Sequence, residues 1–129
     1  MKEFGHLPDL YQQKMTDVGN AMRANHRHAI EAGVKVAFGT DAAVYPHGLN
    51  AHEFEVYVRD YGMTPLAAIQ TGTLNAADLM GWTDRAGSID AGKWADVIAV
   101  EGDPIADIKT LQHVPFVMKA GVVYKNETK

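Results

Sequence analysis

The chain has 129 residues, with 12 Lys and Arg against 16 Asp and Glu, a net charge of −4 with His neutral, and no cysteine. An apolar share of 47% with 22% charged residues is ordinary globular composition, which argues against a disordered or fibrous chain. The acidic balance gives no electrostatic case for nucleic acid, no run nears the ~20 apolar residues of a membrane span, disulfides and thiolate sites are excluded, and a complete (β/α)8 barrel needs about 200–250 residues.

In chain order, Met15, Val18, Met22, His26, Ala29 and Ile30 recur at helical spacing, which predicts a helix over Leu10–Ala32 with Gly33 just past its end. Val34–Phe38 (VKVAF) then reads as a short buried strand of the kind that needs cover on both faces. Thr40–Asn50 is a loop punctuated by Pro46 and Gly48. A second helix is predicted from His52 to Tyr61, stopped by Gly62, and a third opens at Thr64-Pro65 as an N-cap followed by a proline at the first helical position. Asn75 and Asp78 form another N-terminal signature ahead of Leu79, Met80 and a stop at Gly81. From Trp82 the texture changes to strand and turn. Residues 87–92 make a tight turn, Ala95–Val100 a strand, Pro104–Leu111 a helical turn, and Val114–Lys119 with Val122–Lys125 a hairpin joined by Ala120-Gly121. The fold class is α/β. Val34–Phe38 has no second strand of its kind nearby, so its backbone must find partners in the C-terminal strands, in another copy of the chain, or in sequence outside this one.

Six histidines invite a metal reading. His26 and His28 form an HxH, but on a helix positions i and i+2 point about 200° apart and cannot share an ion. His26 lies on the apolar stripe and is expected to be a packed core histidine; His6 and His113 have no neighbouring partner. Asp41 is placed differently, at the C-terminal end of the buried strand, where α/β folds carry their chemistry. His47 and His52 follow within eleven residues, with Glu53 adjacent, and such oxygen and nitrogen donors can ligate zinc. The competing reading is that Asp41 caps a turn and His47 is an ordinary loop residue. Gly87 to Lys93 falls short of a phosphate-binding loop because Trp94 follows where Ser or Thr is required. Ser88 has no local histidine to activate it, so Lys93 and Asp96 read as turn supports.

Four ordered segments carry a resemblance: GVKVAFGTDAAVYPHGLNAHEF, MTPLAAIQTGTLNAADLMG, GSIDAGKWADVIAVEGDPIADI and VMKAGVVY. Together they resemble the C-terminal part of a metal-dependent amidohydrolase, and are most similar to the imidazolonepropionase-like and Xaa-Pro dipeptidase (prolidase-like) members, from about Leu7 to Tyr124. The resemblance implies that Val34–Phe38 is the last strand of a (β/α)8 barrel. Residues 1–81 would form its C-terminal segment, and residues 82–129 the strands of a small composite β domain. It implies that Asp41 binds the catalytic metal, zinc in the full-length enzyme, and handles the proton as water attacks an amide or lactam carbonyl. It also implies that His47, in Tyr45-Pro46-His47-Gly48, lines the pocket of a small-molecule or dipeptide substrate. The family's remaining ligands, an HxH and further Lys, Glu or His residues, would precede residue 1.

The expectation is therefore a portion of a hydrolase that cleaves C–N bonds, with the isolated chain inactive and poor at holding metal. The alternatives are a non-catalytic module that self-associates through unpaired strand edges, and one chain of a split amidohydrolase. Neither nucleic acid nor membrane is expected as a partner, and a cytoplasmic location is favoured.

Overall fold

The computed structural model describes residues 8–43 and 45–128 and divides into two compact units, one ending at Val34 and one beginning at Lys35. The first unit is helix α1, Asp9–Glu31. Its end is a Schellman motif: Gly33, at φ +80°, donates its N–H to Ile30 O at 2.9 Å, and Val34 donates to Ala29 O at 3.0 Å. The expected stripe is not buried. Met15, Val18 and Met22 are 60%, 50% and 53% exposed, and His26 is exposed too. This corrects the expectation of a packed core histidine, and the reason is simple. Within its unit a single helix has no second layer against which to bury a stripe. His6 lies outside the described residues.

The second unit contains helices α2 (His52–Arg59), α3 (Pro65–Thr71) and α4 (Leu74–Leu79), strand β1 (Val97–Ala99), a 3-10 helix (Ile108–Gln112), and strands β2 (Phe116–Lys119) and β3 (Val122–Asn126). The Thr64-Pro65 start is as expected, with Thr64 Oγ1 accepting the Ala67 N–H at 3.2 Å. The core is small: Tyr57, Ala68, Ile108 and Leu111 are buried, and Phe38, Phe54, Val58, Tyr61, Met63, Ile69 and Val100 pack around them.

Val34–Phe38 departs from the expected strand, because no described strand pairs with it. It is held by helix ends and side chains instead. Phe38 N–H donates to Thr71 O at 2.9 Å, Asn75 Nδ2 donates to Val36 O at 2.9 Å, and Lys35 Nζ meets Asp78 Oδ2 at 2.8 Å. Asn75 and Asp78 were expected to mark a helix start. The residue before α4 is Thr73, and both polar side chains reach across to this segment.

The three strands form one antiparallel sheet in the order β1-β2-β3. The β2–β3 hairpin turns at Ala120 and Gly121, with φ +48° and +78°, the pair of positive values that a type I′ turn requires. Asp96 Oδ1 fixes the turn by accepting the Ala120 N–H at 2.7 Å. Lys93 gathers the preceding turn, donating to Ser88 Oγ at 2.6 Å and lying 3.6 Å from Asp90 Oδ2. Lys93 and Asp96 are turn supports, as the sequence indicated.

Gly87 seats this turn on α4. Its φ is +90°, and a Cβ built there would lie 2.7 Å from Ala77 Cβ and 3.1 Å from Thr73 O. Backbone strain and overpacking therefore act together, and Gly87→Ala is expected to lower unfolding stability by roughly 2–4 kcal/mol. Chemical denaturation measures it. A loss below about 0.5 kcal/mol, the ordinary surface range, would show that the turn yields freely.

Candidate active site

The loop that follows Val34–Phe38 is anchored on both sides before it carries any chemistry. Phe38 stacks on Phe54 of α2 with ring centroids 4.4 Å apart at 26°, and meets Tyr57 edge-on at 6.0 Å and 68°. Gly72 leaves room for this stack, since a Cβ there would lie 2.9 Å from Phe54 Cζ. Tyr57 is buried. Burial, followed by the charge of Glu53, pushes the phenol above its ordinary pKa against an opposing effect of the Gly39 backbone, so it stays neutral.

Asp41 comes two residues beyond Gly39, with φ at +47°, in the left-handed region that Asp tolerates better than most side chains. Its carbonyl accepts the Ala43 N–H at 2.8 Å. The side chain is exposed and makes no hydrogen bond or ion pair among the described residues. His47 is likewise exposed, in the turn after Pro46. Asn50 closes the loop: its Nδ2 donates to Thr40 Oγ1 at 2.8 Å, and its Oδ1 accepts the Gly48 N–H at 3.3 Å.

Not every candidate joins this group. His52 turns to the 3-10 helix, with Nδ1 3.1 Å from Glu55 Oε2 and 3.4 Å from Gln112 Nε2. Among the described residues no three His, Asp or Glu side chains cluster as a metal site. A catalytic zinc takes about three protein ligands, and no such set of donors comes together among the described residues. The sequence reading missed Thr40, Asn50 and Tyr57. The available signal was Asn50 itself, since Asn just ahead of a helix commonly bonds its own loop.

The match to known proteins decides the family. Residues 12–124 match the family model described as "Amidohydrolase family". The chain belongs to the amidohydrolase family. It is 42% identical over 104 residues to ochratoxinase of Aspergillus niger, covering 78% of this chain and 21% of that protein. It is 34% identical over 110 residues to imidazolonepropionase of Symbiobacterium thermophilum, covering 82% and 24%. The crystal structure of a Xaa-Pro dipeptidase with bound methionine in the active site superposes with a TM-score of 0.84 at 44% identity, over 97% of this chain and 30% of that one. The chain thus spans between 21% and 30% of the lengths of these amidohydrolases. Divalent-metal binding is characteristic of the family.

Glu55 ties α2 to the 3-10 helix beside the site. It accepts from Gln112 at 3.0 Å and lies 3.2 Å from Arg59 and 3.7 Å from Lys109. The Gln112 hydrogen bond, helped by Lys109, His52 and Arg59 against partial burial, holds its carboxyl below the ordinary 4.5. Stability from a depressed carboxyl is complete above its unfolded value and is lost as pH falls through the folded one. Glu55→Gln is therefore expected to flatten the acid limb of stability against pH, with the two proteins converging below the depressed value. Parallel acid limbs in thermal melts between pH 3 and 6 would contradict it.

Proposed function

We propose that this chain supplies the closing βα segment and part of the small β domain of a barrel amidohydrolase that cleaves C–N bonds in dipeptides or cyclic amides. Residues 1–81 belong to the barrel segment and residues 82–129 to the composite β domain. Asp41 provides one metal-side carboxylate, zinc being the expected ion, and holds or passes a proton from its carboxyl oxygens. His47 lines the substrate pocket. The similarity to a Xaa-Pro dipeptidase, an ochratoxinase and an imidazolonepropionase supports hydrolysis of this kind on a small substrate.

The observation that carries this reading is the state of Val34–Phe38. It has the composition of a buried strand and ends three residues before Asp41, yet no described strand pairs with it. An extended segment so placed calls for neighbouring strands, and the same additional sequence would bring the missing ligands.

Metal analysis of the purified 129-residue chain after zinc loading and desalting tests the reading. Substoichiometric zinc is expected, together with no hydrolysis of an Xaa-Pro dipeptide. One zinc per chain, lost on Asp41→Asn, would show that these residues make a complete site by themselves.

A further inference from the structure

The amide of Asn50 is used at both ends. Gly48 N–H can only donate, so Oδ1 must face it, and this leaves Nδ2 to donate to Thr40 Oγ1. Thr40 directly precedes Asp41, and Gly48 directly follows His47. One side chain therefore grips the loop beside each of its two chemical residues.

Asn50 is itself held firmly. Its carbonyl accepts the Glu53 N–H at 3.1 Å, and the adjacent Leu49 carbonyl accepts the His52 N–H at 3.0 Å, so it belongs to the first turn leading into α2. That helix carries Phe54 and Tyr57, whose rings fix Phe38. The side chain is half-buried, which limits competition from water for both hydrogen bonds.

We infer that Asn50 is a positioning residue that fixes Asp41 relative to His47, so that the proton-handling carboxylate and the substrate-side imidazole are presented together. The inference rests on the proposed roles of those two residues. It adds that their separation is set by one amide in the turn leading into α2 and not by the nine-residue course of the loop between Thr40 and Asn50.

The test reads loop geometry directly, without metal or substrate, so it stands apart from the zinc experiment on the roles themselves. The full chain is labelled with 13C, and the Asp41 carboxyl carbon, the His47 ring signals and the Ile108 and Leu111 methyls are followed by NMR. Asn50→Ala and the near-isosteric Thr40→Val are each expected to shift the Asp41 and His47 signals together. Combining them is expected to add little, and Thr40→Ser, which keeps the hydroxyl, is expected to restore the unsubstituted spectrum. The Ile108 and Leu111 methyls are expected to stay in place. Three results would overturn the inference: Asp41 and His47 unmoved in Thr40→Val, a shift at one of them without the other, or Thr40→Ser behaving as Thr40→Val does. If Asn50→Ala fails to fold, the Thr40 pair alone decides among these outcomes.

Discussion

The contact on which the second unit depends is the aromatic junction of Phe38, Phe54 and Tyr57. A segment without a described strand partner depends on its contacts with the neighbouring helices. Here one ring stack and one edge contact fasten Phe38 to α2. Aromatic pairs of this kind contribute about 0.5–1.5 kcal/mol beyond the area they bury. The same residue's N–H is taken up by Thr71 at the end of α3, so two helices converge on the point from which the Asp41 loop departs. Tyr57 extends the junction toward Ala68, Ile108 and Leu111, making it continuous with the core.

The described residues hold a carboxylate, Asp41, and an imidazole, His47, on the one loop that leads into α2. A complete set of metal donors is not found among the described residues, and no described strand flanks Val34–Phe38. The chain spans less than a third of its relatives' lengths, and the proposed function assigns the remaining metal donors to sequence outside these 129 residues.

Much of this was legible in the residues. The spacing from Met15 to Ile30 marks α1, and Gly33 marks its end. Thr64-Pro65 marks α3, and Ala120-Gly121 the hairpin turn. Each is a local signal that local physics enforces. Asp41 and His47 were legible as candidates by position and by family resemblance. The failures turn on tertiary surroundings that local spacing does not report. Asn75 and Asp78 have the composition of a cap, but their partners are Val36 and Lys35, about forty positions earlier. His26 has the spacing of a core residue, yet its unit offers nothing to bury it. Asn50 sat within a loop without periodicity, and only folding brings Thr40 and Gly48 to its amide.

Hydrogen exchange at the Phe38 amide tests the role of the aromatic junction most directly. Phe54→Ala is expected to lower protection of that amide at least about tenfold, equivalent to about 1.4 kcal/mol, while leaving the amides of the β2–β3 hairpin unchanged. Equal loss throughout the chain, or unchanged protection at Phe38, would contradict the claim that this junction holds in place the segment from which the Asp41 loop departs.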